Sequence, residues 1–459
     1  VERKPQFRND GVLHATINGH RFHLRRKDPS ADNFLWIDGT QPPIVLDRTA
    51  AEFVSHLIEA MWLYQSGDGD ESQAVIDYVV NKMSDKYSRG LLSWKKVKRE
   101  DVLADLNRLF GTLMSVANGA CPVDAGLGPR ELEYGKWVAP ARMDLALTYR
   151  CNLECPKCYV GDRKTGRELD TAEWLKVYEI LWRTGVPQVV FTGGEPTLRG
   201  DLVELVSEAD EFVTGLVTNG TRLSELAEDL RDASLDYAQV TVESSDPDIH
   251  DRTTGTPGSH ARTLAGIRKA LGVGIQVVTN TTLTKTNASS FSETIRWLHG
   301  LGIKNAACNT LICSGHGVEH KKENGLDDKT LGEVLSAGCR TAAELGMTLQ
   351  WYSPTCYHQG IDPMALGLGV KTCSAAAHNM TIQPDGTVLP CQSWPDTVGN
   401  ILTDDWASIW RHPTCVKLRK HLFKSEECRG CEYELTCGGG CPLDKSPRTK
   451  SGAGKGENE

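Results

Sequence analysis

Nothing in the 459 residues is long and apolar enough to cross a bilayer, and the first ten residues, VERKPQFRND, lack the hydrophobic core of a secretory signal. With both absent, the chain reads as a soluble cytoplasmic protein with no membrane partner. An excess of positive charge is missing as well: 51 Lys and Arg against 60 Asp and Glu leave a net charge of −9, which argues against a general nucleic-acid binder. What the chain has is length enough for two or three domains, and fifteen cysteines. Without an export signal these do not read as a disulfide framework, because the cytosol keeps thiols reduced. Metal ligation is the better account of those that cluster.

The densest chemistry lies in Arg150 to Tyr159, RCNLECPKCY, where Cys151, Cys155 and Cys158 stand in the spacing C-x3-C-x2-C. Three thiolates can hold three irons of a 4Fe-4S cube and leave the fourth iron open to a small molecule. A zinc site or free thiols are the other readings of three cysteines on a short loop. From Met143 the chain alternates strand and helix patterns. Strands are expected at Met143 to Thr148, Gln188 to Thr192, Val213 to Thr218, Ala238 to Glu243, Ile275 to Leu283 and Asn305 to Ile312, with helices opening near Thr171, Asp201, Leu223, Ala261 and Ser289. Six such units predict a parallel sheet. Right after the second strand comes Thr192-Gly193-Gly194-Glu195-Pro196, after the third Thr218-Asn219-Gly220, and in the fourth VTVESSDPDIHDRTTG.

The cysteine spacing, the aromatic Tyr159 behind it and the Gly-Gly-Glu-Pro run one strand later together resemble the radical S-adenosylmethionine (SAM) enzymes. The resemblance implies an α/β fold, an open partial (βα)6 barrel whose functional residues gather at the carboxyl ends of the strands. It further implies that the open iron chelates SAM and that an electron from the cluster, delivered by an external donor such as a flavodoxin or ferredoxin, breaks SAM to a 5′-deoxyadenosyl radical. Gly193, Gly194, Glu195 and Pro196 then line the cofactor with Tyr159 near by, the Glu195 carboxylate accepting from the SAM ammonium; a plain Gly-Gly turn is the bland alternative. Thr241 and Glu243, two apart on one strand, correspond to ribose-contacting residues that are Ser and Asp in many relatives. Cys308 and Cys313 are expected to be buried thiols.

Beyond Tyr352 the pattern changes to short irregular segments. Cys373, Gly386-x4-Cys391 and the run C-x2-C-x5-C-x3-C made by Cys428, Cys431, Cys437 and Cys441 resemble the SPASM extension, whose members bind two further 4Fe-4S clusters; zinc ribbons share the paired spacing. The resemblance assigns Cys373, Cys391 and Cys441 to one auxiliary cluster, with Cys356 as its fourth ligand, and Cys428, Cys431 and Cys437 to the other. No cysteine follows Cys441, so the last ligand there is Asp444, an open iron or a residue outside the chain. Cys121, Cys339 and Cys415 default to plain thiols.

Residues 1 to 120 read as a separate winged-helix-like module. Leu13 to Arg26 alternates about Asn18-Gly19, a hairpin signal. FLWI (Phe34 to Ile37) and PIVLD (Pro43 to Asp47) follow. Next comes a helix capped by Thr49 with Phe53, Leu57 and Met61 on one face, and then two more helices over Gln73 to Lys86 and from Arg99 onward. The runs LDRTAAEFV and KREDVLADLNRLF resemble the small peptide-binding chaperone of pyrroloquinoline quinone biosynthesis, which implies a precursor peptide or small protein as partner, recognised as an added strand. A structural cap and a DNA-binding winged helix are the other readings. The domains expected are 1–120, a barrel over 121–352 entered through a Gly- and Pro-rich linker from Asn118 to Pro140, the extension over 353–445 and a disordered tail over 446–459. The whole resembles a maturase of ribosomally made peptides; cofactor biosynthesis on a small molecule and an iron-sulfur regulator are the alternatives.

Overall fold

The structure, a computed structural model, describes residues 12–26, 33–37, 44–64, 72–88, 97–118, 120, 137–163, 166–357, 361–434 and 437–444. Cys121, most of the expected linker and the 446–459 tail fall outside them. The chain divides into two compact units, 1–135 and 136–459.

In the first unit, strands β1 (Val12–Ile17), β2 (His20–Arg26), β3 (Asn33–Ile37) and β4 (Ile44–Leu46) form an antiparallel meander in sequence order. Asn18 and Gly19 both take positive φ, 50° and 80°, so the first hairpin turns as that dipeptide predicts. Helices α1 (Arg48–Tyr64), α2 (Ser72–Ser88) and α3 (Arg99–Ala117) follow. The cap of α1 is Asp47, not Thr49: its Oδ1 accepts from the Ala50 N–H at 2.7 Å, and a carboxylate also suits the positive end of the helix. Phe22, Leu24, Leu35 and Ile37 of the sheet, Phe53 and Ile58 of α1, Val79 and Met83 of α2 and Leu106 and Leu113 of α3 close one core. Glu52 of α1, 2% exposed, joins Lys86 of α2 at 2.6 Å, which clamps the two helices.

The second unit begins with β5 (Arg142–Thr148), then α4 (Thr171–Thr184), β6 (Gln188–Gly193), α5 (Leu202–Ser207), β7 (Val213–Thr218), α6 (Leu223–Asp232) and β8 (Tyr237–Thr241). It continues through α7 (Pro247–Thr254), α8 (Ser259–Gly272), β9 (Gln276–Leu283), α9 (Phe291–Gly300), β10 (Asn305–Thr310), α10 (Gly317–Asn324), α11 (Asp328–Glu344) and β11 (Thr348–Trp351). Strands β5 to β11 are parallel neighbours in chain order, the expected open barrel sheet lengthened by a seventh strand that the apolar pattern did not show. The helix α7 was likewise unexpected. It opens on Asp246, whose side chain accepts from the Asp248 and Ile249 N–H groups, and ends on left-handed Gly255.

The cysteine-rich end is less irregular than its sequence. Strands β12 (Asn379–Ile382), β13 (Thr387–Leu389) and β14 (Gly399–Asn400) extend the same sheet, β12 lying parallel to β5 and the other two antiparallel; the short helices α12 (Trp406–Trp410) and α13 (Pro413–Arg419) follow. Thus the extension grows from the free edge of the first barrel strand. Tyr149 bonds Gln383 at 2.9 Å, and Gln392 bonds the buried Asp144 of β5 at 2.7 Å, both across that join. No described helix is long and apolar enough to cross a membrane.

Candidate active site

At the carboxyl end of the sheet β5 and β6 slip register, pairing Thr148 with Gly193. Beyond that slip the loop carrying Cys151, Cys155 and Cys158 is held by the segments after β6, β7, α7 and β10. The Gly194 N–H donates to Thr148 O and the Glu195 N–H to Arg150 O, each at 2.8 Å. Asn152 bonds Thr221 at 3.0 Å and Asn219 at 2.8 Å, after β7. The Glu154 N–H donates to the Thr256 hydroxyl, behind α7, at 3.2 Å. From the loop after β10, the His316 N–H donates to Cys158 O at 2.9 Å and the Ser314 hydroxyl to Tyr159 O at 3.2 Å.

The two glycines of the Gly-Gly-Glu-Pro run have a steric reason. Gly193 takes φ +137°, and a Cβ there would lie 2.1 Å from Thr148 O; one on Gly194 would lie 2.4 Å from Arg150 O. Only a chain without side chains comes this close to the cysteine loop.

Glu195 is wholly buried. Its Oε1 accepts from the Thr197 N–H (3.0 Å), the Thr197 hydroxyl (2.6 Å) and the Thr218 hydroxyl (2.8 Å), and its Oε2 from the Asn219 N–H (2.8 Å). Burial raises its pKa and these donors pull it back. The carboxylate therefore knots the turn after β6 to the turn after β7, a role the sequence did not disclose. One consequence is checkable. Each oxygen accepts a backbone N–H, so in Glu195→Gln either orientation of the amide sets an NH2 against a main-chain donor. The variant should lose about 1–3 kcal/mol of stability to denaturant, read before any cluster or cofactor is added. Stability equal to the parent would show that the knot carries no weight.

Thr241 is the last residue of β8, and Glu243 stands two residues past it, so the pair does not share one strand as expected. The ladder to β9 ends with the Val242 N–H donating to Asn280 O at 2.9 Å, one residue short of Glu243. Glu243 is buried, its carboxylate in an ion pair with Lys157 of the cysteine loop and accepting from the Thr282 N–H at 3.3 Å. Tyr159 is half-buried, and burial raises its hydroxyl pKa.

In the extension, Cys373 and Cys391 are raised by burial to about 12 and about 11, with the Cys441 thiol adding to both rises. Cys356 packs by Cys437. It joins Tyr357, Tyr433 and Cys437 in a small core; the Tyr357 N–H donates to the Cys437 sulfur at 3.4 Å and the Tyr433 N–H to the Cys431 sulfur at 3.3 Å. The turn after β11 thus folds onto Cys437. Asp444 pairs with Lys321 at 2.7 Å, and that ammonium competes with any iron for its carboxylate. Cys428 lies beside the Ser425 hydroxyl at 3.6 Å, half-buried. Cys308 and Cys415 are buried, Cys313 and Cys339 partly so.

Among the described residues no cysteine is in a disulfide, and three cysteines on one loop beside the Gly193-Gly194 backbone suit a cube whose fourth iron stays open. The sequence signature of the Radical SAM superfamily matches residues 145–318, and that of the SPASM iron-sulfur cluster-binding domain matches 373–432. A PqqA peptide cyclase of Gluconobacter oxydans (strain 621H) is 30% identical over 312 residues, 66% of this chain and 85% of that protein. The chain belongs to the radical SAM superfamily. Its cofactors are SAM and 4Fe-4S clusters, and it is an enzyme. Two solved structures share its fold. Streptococcus suis SuiB bound to its precursor peptide SuiA matches 97% of this chain and 98% of its own with a TM-score of 0.62 at 16% identity. The enzyme anSMEcpe with bound AdoMet and the Kp18Cys peptide matches 65% and 89% with a TM-score of 0.52 at 18% identity.

Proposed function

We propose that this radical SAM enzyme is a maturase of ribosomally made peptides or small proteins, installing a crosslink or another oxidative change. The observation that carries the reading is its 30% identity to a PqqA peptide cyclase along 85% of that protein. The fold shared with SuiB along nearly the whole chain, first unit included, supports it.

Cys151, Cys155 and Cys158 would hold the cluster that binds SAM. Bound there, the pair supplies a 5′-deoxyadenosyl radical able to take a hydrogen atom from an unactivated carbon. The protein's own share is placement. Gly193 and Gly194 let the backbone approach the cofactor, Pro196 and the Glu195 knot keep that turn rigid, Thr241 and Glu243 face the ribose, and Tyr159 packs behind the last cysteine. We assign Cys373, Cys391 and Cys441, with Cys356 as fourth ligand, to one auxiliary cluster and Cys428, Cys431 and Cys437 to the other; such a cluster would offer a place for the electron left on the substrate. A cytoplasmic flavodoxin or ferredoxin is the natural electron donor, and the 1–120 module the natural reader of the precursor.

The test is anaerobic incubation of reconstituted protein with SAM, dithionite and the peptide encoded by the nearest short open reading frame, followed by mass spectrometry. Loss of hydrogen from the peptide, matched by 5′-deoxyadenosine, is expected. Deoxyadenosine without any change in the peptide would overturn the substrate assignment.

A further inference from the structure

Lys157 stands between two of the three cysteines, yet its side chain is only 8% exposed, lodged against a Glu243 carboxylate that is 1% exposed. The two residues are 86 positions apart, one in the cysteine loop and the other past the end of β8. The backbone of Glu243 is held independently of this contact: its N–H donates to His250 Nδ1 at 3.3 Å, and its carbonyl accepts from the Asn287 amide at 3.0 Å. For the side chain there is the Thr282 N–H at 3.3 Å and, among the described residues, one cation, Lys157. Nearby His250 brings no competing charge, since burial lowers its pKa to about 4.

A carboxylate this deep has lost its water, and the buried ammonium beside it replaces part of what was lost. A buried ion pair adds little net stability over an apolar pair of the same size, so its presence calls for a reason other than folding. The two ends of the contact supply one. The loop with Lys157 carries the thiols that hold iron, and Glu243 is the group read above as facing the ribose.

We propose that Lys157 is a positioning residue for the nucleoside end of SAM, acting through Glu243: it holds that carboxylate aimed at the ribose hydroxyls, and so sets the sugar-reading strand end in register with the cluster loop. The inference rests on the ribose reading of Glu243. It implies that SAM binding senses Lys157 through the sugar and not through the methionine end.

The experiment compares parent, Lys157→Met, Lys157→Arg, Glu243→Gln and the double variant Lys157→Met/Glu243→Gln, all reconstituted with iron and sulfide. Dissociation constants are measured for SAM and for its 2′-deoxy analogue, together with iron content. Lys157→Met should weaken SAM binding about tenfold or more, as loss of a charge-assisted contact does, while weakening the deoxy analogue much less. Glu243→Gln should show the same loss of ribose preference, the double variant should be no worse than the weaker single one, and Lys157→Arg should recover most of the affinity. If Glu243→Gln keeps the full ribose preference, the reading of Glu243 fails and the inference with it. If Glu243→Gln loses the preference but Lys157→Met keeps it, or loses affinity for both ligands equally, the inference alone is overturned. Should Lys157→Met fail to hold iron, Lys157→Gln decides: full iron with the ribose preference lost supports the proposal, and full iron with the preference kept refutes it.

Discussion

Cys155→Ala is expected to abolish reductive cleavage of SAM while most of the iron stays. The variant removes one of three thiols from the loop after β5, and a cube held by two thiolates and an open iron does not persist. The change is small for the fold. Only the side chain is lost, and the carbonyl of Cys155, which accepts from the Cys158 N–H at 3.1 Å, remains. In the free protein this thiol is pushed up to about 12 by burial, so it is the bound iron that makes it a thiolate. Iron and sulfide should fall by roughly one cube in three, and 5′-deoxyadenosine should drop to the level seen without enzyme. Formation at the parent rate would remove the loop from the centre of the chemistry. Stoichiometric zinc in anaerobically prepared parent protein would instead speak for a ribbon in the extension.

Deleting residues 1 to 120 should have the opposite profile: SAM cleavage without substrate continues, and modification of a full-length precursor falls by about a hundredfold or more. The first unit has a core of its own, and β1 and β4 are the edges of its meander, each with main-chain groups that a leader strand can pair. A leader held there tethers the core of its own peptide, and tethering to a short flexible link raises local concentration to about the millimolar range. The truncated enzyme must show a full iron count for the comparison. Processing at the full-length rate, or an isolated module that binds duplex DNA and no peptide, would end the recognition role.

Much of this was legible in residue order, because the decisive signals are local. A cube needs its first three thiols on one turn, so Cys151, Cys155 and Cys158 are written within eight positions; a backbone that must pass a carbonyl at contact distance needs Gly193 and Gly194; a two-residue hairpin needs Asn18-Gly19. The alternation of strand and helix likewise foretold the parallel sheet. Where the determining contact joins distant segments, nothing in the order announced it. The Glu195 knot depends on Thr218 and Asn219 across a whole βα unit, Lys157 meets Glu243 only because β8 and the cysteine loop end on the same rim, and Cys356 joins Cys437 because the turn after β11 folds back on it. The β12 to β14 extension has too few residues per strand for a pattern, and it becomes sheet by pairing with the open edge of β5. The sequence by itself determined the parallel sheet and the cysteine and glycine spacings from which the site is read, since short-range spacing is enough to build a loop and a turn. Only the tertiary structure decided which side chains hold those atoms in place, because burial and charge pairing depend on neighbours that the chain brings together from far apart.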